Sequence, residues 1–271
     1  MLELFNYQFI QKAFVGGTIL GIIAPLIGNF LVVKRQSALS DTLSHISLLG
    51  VAIGFVINVF PTIIAIIISV ASSLFLTHYK GFGTLYKESF LTLLMSFSLA
   101  MVAILSKLGN GFENTLFGYL FGSLNAITEA NLWLIGIVGV ISTGLIVRFY
   151  RELVLVCFDR DFARIKGVNV FWIESLLAVL TATIISSGIG IFGSMLMTAV
   201  VVSPVIIGWS VSTSFKSNIF WSIGIALTAI WASIITSYYF IDLPNNALTV
   251  CILCLILVIF KIFQKFQKRT N

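Results

Sequence analysis

Charge is scarce in this chain. Of its 271 residues only 10% are Asp, Glu, Lys or Arg, while 59% are hydrophobic. No stretch is polar enough for long enough to form a water-soluble domain, so one membrane domain over residues 1–271 is expected. Acidic residues are the rarer sign, 10 against 16 basic. They do not form the intramembrane series of carboxylates that a proton-driven carrier uses. The G-x-x-x-x-G-K-[ST] phosphate loop is missing, which excludes ATP binding of that kind. Histidine is limited to His45 and His78, and cysteine to Cys157, Cys251 and Cys254. No Ser-His-Asp set and no carboxylate pair suited to catalysis is apparent. The C-x-x-C spacing of Cys251 and Cys254 stands alone in an apolar run and reads as two small residues on a helix face.

What the chain has is long apolar runs. A spanning helix needs about 20 mostly apolar residues. Nine candidates are read, at 10–33, 38–60, 61–79, 89–106, 131–149, 170–187, 190–212, 218–240 and 246–263, with eight as the alternative count. The runs lack the alternation of a membrane barrel, so an all-α polytopic fold is expected. If all nine cross, 14 of the 16 basic residues share one side and only Lys12 and Lys107 take the other. The positive-inside rule then places the N-terminus outside and the C-terminus inside. The basic residues are thus cytoplasmic flanks, which makes nucleic acid a poor partner. The first run is too long for a cleavable signal and no small-residue cleavage site follows it.

Asp41 and His45 lie one turn apart within the second run, on one helix face. A carboxylate and an imidazole are ligands that zinc, manganese or iron accepts. An ionisable residue inside a span costs roughly 2.5–3.5 kcal/mol on insertion scales and by default marks a pathway. By spacing alone a second reading stands beside this one: Asp41 caps the helix and His45 is a packed histidine bonded to a neighbour. Ser44 and Ser47 read as hydrogen-bonding within or between helices. Glu174 and Asp242 fall near span ends and read as interfacial.

Two stretches between spans carry information. On the expected outer side, Leu116–Leu124 is apolar but too short to cross, and Gly118 and Gly122 have small-xxx-small spacing. On the expected cytoplasmic side, Phe158–Val168 reads as a short helix with Asp159 as N-cap and Gly167 as its stop. Phe158, Phe162 and Ile165 would leave an apolar face there that needs a protein cover. Gly188–Gly193 matches G-x-G-x-x-G, but no strand precedes it. It reads as a tight connection between the sixth and seventh runs, not a dinucleotide site. Pro25 and Pro204 fall inside spans and can kink them. A pathway without an engine, with a helix that needs a partner, suggests a complex with a separate ATPase.

Four blocks resemble the membrane permease of bacterial ABC importers for zinc or manganese. Asn29–Ser37 followed by Asp41–Gly50 is similar to the family's most distinctive segment. Leu116–Gly122 resembles its outer loop, and Phe158, Asp159, Asp161, Ala163 and Gly167 fall in a stretch like its ATPase-coupling helix. Ser237–Pro244, with Asp242 and Pro244, resembles the entry to its last span. The sequence departs from the family at Asn245–Asn246 and at Ser203–Trp209, around Pro204. The resemblance implies a homodimer, cytoplasmic ATP-binding cassette subunits, an extracellular metal-binding lipoprotein and a bacterial cell membrane with its lipid. It implies no permanently bound cofactor and no enzymatic activity of the chain itself; Zn2+ or Mn2+ would be cargo, handled by Asp41 and His45. Gly118, Gly122, Asp242 and Pro244 would belong to the outer mouth. Two copies would offer four ligands, the number tetrahedral zinc takes. A permease for chelated iron, a self-sufficient ion-coupled carrier or channel, and, most weakly, an intramembrane metalloenzyme are the competing readings.

Overall fold

The computed structural model describes residues 8–79, 84–108, 113–122, 128–239 and 245–270. Asp242 and Pro244 lie outside the described residues. Eleven helices and no strand occur among those described. They are α1 (Gln8–Val33), α2 (Ser37–Val56), α3 (Pro61–His78), α4 (Thr84–Leu108), α5 (Glu113–Phe121) and α6 (Glu129–Arg148), followed by α7 (Tyr150–Phe158), α8 (Arg160–Ile165), α9 (Val170–Trp209), α10 (Phe215–Tyr239) and α11 (Asn245–Thr270).

Eight of these are long and apolar enough to cross a membrane. One of the eight crosses twice. Within α9 the backbone leaves helical geometry at Gly193 alone (φ 76°, ψ 162°). The contacts of α1 show that the chain reverses there. Before the break, Glu174 bonds Lys34 at the C-terminal end of α1 and Ile191 packs against Gly16 near the other end. After it, Val201 and Val205 pack against Gly28, and Gly208 meets Asn218, which bonds Asn29. From Gly16 to Gly28 is about 18 Å along a helix. Residues 170–192 therefore run from the Lys34 end to the Lys12 end, and residues 194–209 return. Nine crossings result among the described residues, as the sequence suggests, but the turn is one residue and not the six of Gly188–Gly193. The sixth helix is correspondingly longer and the seventh shorter than their apolar runs.

The inner layer is α1, α2 and both arms of α9, whose facing side chains, such as Phe30, Leu43, Ile185 and Phe192, are essentially inaccessible. Around them α3, α4, α6 and α11 keep apolar side chains exposed, for example Trp133 at 74% and Val140 at 76%. In water such a surface would be unfavourable; in a bilayer it is the expected lipid-facing surface. Close helix approach rests on small residues: a side chain at Gly28 would strike the carbonyl of Val201. Asn29 donates to Ser222 (2.9 Å) and to the Pro25 carbonyl (2.7 Å), and accepts from Asn218 (2.7 Å), all fully buried. This network ties α1 to α10 where hydrocarbon could supply no replacement partners.

α7 follows α6 after a bend at Phe149, a short helix the sequence reading did not separate. α8 then forms as expected. The Asp159 carboxylate accepts from the N–H groups of Asp161 and Phe162 (3.0 and 2.9 Å). Gly167, at φ 79°, donates to the Arg164 carbonyl, and Val168 donates to that of Ala163. These two bonds close the helix with a left-handed glycine cap.

Candidate functional site

α2 buries 13 of its 20 residues, among them the whole stretch 42–48, and Asp41 stands partly exposed just before that stretch. The Asp41 side chain is 41% exposed and that of His45 is 6% exposed; Oδ1 of the first lies 3.7 Å from Nε2 of the second. That distance exceeds a hydrogen bond. It is close to the separation of about 3.4 Å that two ligands at 2.0–2.2 Å adopt around a tetrahedral ion. Nδ1 of His45 is buried and has no partner. A buried unpaired polar atom costs about 1–3 kcal/mol. His45 is therefore not a packed histidine with its bonds satisfied.

Nor is Asp41 a cap. The N-cap of α2 is Gln36, and no side chain there bonds the first turn. Asp41 instead accepts from the hydroxyl of Thr198 (3.1 Å) on the return arm of α9. Sequence reasoning missed Thr198, since 157 positions separate the two residues and threonine is ordinary in a span. One turn before it, the buried hydroxyl of Ser194 has no partner, nor does that of Ser47 on α2. Ser44 donates to the Ser40 carbonyl (2.9 Å), as expected of a serine within a span. The described residues contain no group of three or more His, Cys, Asp or Glu side chains able to hold a metal. One chain thus offers an imidazole and a carboxylate, with a hydroxyl beside them.

At the Lys34 end, α8 seats Ala163 fully buried while Phe158, Phe162 and Ile165 remain 60%, 46% and 82% exposed. The apolar face expected from the sequence is present, and Asp161 stands beside it in the first turn. Glu174 lies near the end of its span, as expected, and is 5% exposed, bonded on one oxygen by Lys34 (2.9 Å) and on the other by Arg160 (2.6 Å). The cause is the packing of α8 and the end of α1 over the first turn of α9. Beside this carboxylate, burial pushes the thiol of Cys157 up to about 12.

At the Lys12 end, α5 closes on the α9 reversal. Gly122, at φ 75°, lies backbone to backbone with Gly193, and Asn246 donates to the Phe121 carbonyl (2.8 Å). Gly118 has open space where a side chain would stand. The small-xxx-small pair therefore splits: Gly122 makes a close approach within this chain, and Gly118 faces outward. Pro204 lies in an arm whose dihedrals stay helical; the break belongs to Gly193.

A bundle of nine crossings among the described residues, with a carboxylate and an imidazole side by side on an inner helix and an exposed apolar face on a short helix at one end, fits a membrane transport protein. The chain belongs to the ABC 3 transport family, whose pattern matches residues 6–264. It is a multi-pass protein of the cell membrane. It is 26% identical over 237 residues to the manganese import system permease protein ScaB of Streptococcus gordonii, covering 88% of this chain and 85% of that one. It is 24% identical over 245 residues to the high-affinity zinc uptake system membrane protein ZnuB of Haemophilus influenzae, covering 90% and 94%. Among solved structures it resembles PsaBC from Streptococcus pneumoniae in complex with Fab, with a TM-score of 0.88 and 25% identity, covering 99% and 97% of the two chains.

Proposed function

We propose that this chain is the permease subunit of an ATP-driven importer of divalent transition-metal ions, with zinc the preferred cargo and manganese the next. The carrying observation is the pair itself: a partly exposed carboxylate whose Oδ1 lies 3.7 Å from Nε2 of a buried imidazole, a separation suited to sharing an ion. The names of the relatives agree with this reading. One chain supplies two ligands, so a second copy about a two-fold axis would complete a set of four. The donor set suits zinc and manganese alike, and the match of four ligands to tetrahedral geometry favours zinc.

In this reading the Lys34 end faces the cytoplasm, which the distribution of basic residues supports. A metal-binding lipoprotein delivers the ion to the Lys12 end, where α5 and the α9 reversal form the mouth. Asp41, held in place by its bond from Thr198, engages the ion, and His45 adds an imidazole nitrogen. Transport requires the site to release its cargo, so its binding is transient. The apolar face of α8, with Phe158, Asp159, Asp161, Ala163 and Gly167, docks a cytoplasmic ATPase, whose cycle opens the bundle alternately to the two sides.

The test is ATP-dependent uptake of zinc and of manganese in liposomes by the reconstituted permease, ATPase and binding protein. His45→Ala and Asp41→Ala should each reduce uptake by at least about tenfold while the complex still assembles. Unchanged uptake in both variants would remove the site. Uptake of a chelate and of neither free ion would point to a larger cargo, and uptake by the permease alone would make it a self-sufficient carrier.

A further inference from the structure

We propose that Glu174 is a positioning residue that transmits movement of α8 to Asp41. This rests on the reading of α8 as the ATPase-docking helix. The two oxygens of Glu174 are committed to different elements: Oε1 to Lys34, just past the end of α1, and Oε2 to Arg160, the first residue of α8. The carboxylate and Lys34 are buried, at 5% and 9%, so water screens their bond little. Arg160 is 54% exposed, so its ion pair holds it more than packing does.

The path from Lys34 onward has no slack. Arg35 takes φ 55°, and the N–H groups of Arg35 and Gln36 bond back to Val32 and Leu31 (3.0 and 2.8 Å). α2 begins at the next residue, Ser37, and Asp41 follows about 6 Å along it. A pull on Arg160 therefore reaches the start of α2 through one carboxylate and one rigid corner. Beside the clamp is a cavity of about 330 Å³, lined among others by Lys34, Arg35, Thr77, Cys157, Arg160 and Glu174. It gives the clamped end room to shift without opening the packed bundle. A buried ion pair is a poor source of net stability, which leaves geometric coupling as its physical use.

The experiment measures metal taken up per ATP hydrolysed in liposomes holding the permease, its ATPase and the binding protein, with zinc and manganese as probes. Arg160→Met leaves the Lys34–Glu174 bond and the apolar face of α8 in place. The ATPase should still co-purify, while uptake per ATP falls by about tenfold and Arg160→Lys restores it to within about twofold. Glu174→Gln, which also leaves the buried Lys34 without its charge partner, should lower uptake per ATP at least as far as Arg160→Met does. Ala38→Cys, exposed at the start of α2, should change its labelling rate on ATP addition in the parent and not in the Arg160→Met background. Uptake per ATP within about twofold of the parent in Arg160→Met, with the ATP-dependent labelling kept, would overturn the proposal. Failure of the docking reading shows separately: Phe162→Asp and Ile165→Asp would then leave the ATPase bound.

Discussion

At the scale of single residues, the site is read from what is left unbonded. The i,i+4 spacing of Asp41 and His45 was legible in the sequence, because helical geometry alone puts them on one face. The unpaired Nδ1 of His45 and the bond from Thr198 were not, because both depend on how the return arm of α9 packs on α2. Thr198→Val keeps the shape and removes the donor, so it should weaken half-saturation of uptake by about tenfold while leaving assembly intact. The span-end place of Glu174 was legible but its two bonds were not, since Lys34 and Arg160 lie 140 and 14 positions away. Cys157, beside that clamp, gives a pH test. Burial raises its thiol from 9.0 to about 12, so the folded state binds the proton more tightly than the unfolded chain. The resulting stability is full below pH 9.0 and is lost as pH rises toward about 12. At pH 8 a water-soluble maleimide should label Cys157 quickly only after denaturation, as mass spectrometry would show.

At the scale of elements, α8 was nearly complete in the sequence. Its cap, its stop and its apolar face are all local signals, and local signals survive folding. Charging that face, by Phe162→Asp or Ile165→Asp, should release the ATPase in co-purification without altering the permease's own thermal unfolding. The α9 reversal was legible only in part. The apolar run marked its two arms, but three glycines between Gly188 and Gly193 gave no means of choosing the turning residue. The choice falls on Gly193 because its dihedrals suit glycine almost alone. Its neighbour Gly122 leaves no room for a side chain either. Gly193→Ala should cost at least about 1–3 kcal/mol. Gly118→Ala, in a helix interior with open space outside, should gain up to about 1 kcal/mol. Opposite shifts of the unfolding temperature would establish the contrast.

At the scale of the whole molecule, composition foretold the bundle, and the count of nine follows once α9 is seen to fold back. The charge asymmetry was visible in the sequence only through that count, since one span fewer would scatter the basic residues over both sides. Cysteines placed at Lys166 and Lys216 should react with an impermeant thiol reagent only after cells are opened, and one placed at Lys12 in intact cells. The lipid-facing helices could be told from the inner ones only by packing. The apolar content of α3 and α6 resembles that of α1, and the difference lies in which helices surround them.

Because α9 turns within one residue, its two arms behave as a fork and not as a hinge. Neither arm can advance along its axis without carrying the other with it, and Gly122 sits where the tines join. Thr198 lies five residues down one tine and Glu174 at the foot of the other, so a single covalent part joins the residue that bonds Asp41 to the residue that bonds Arg160 of α8.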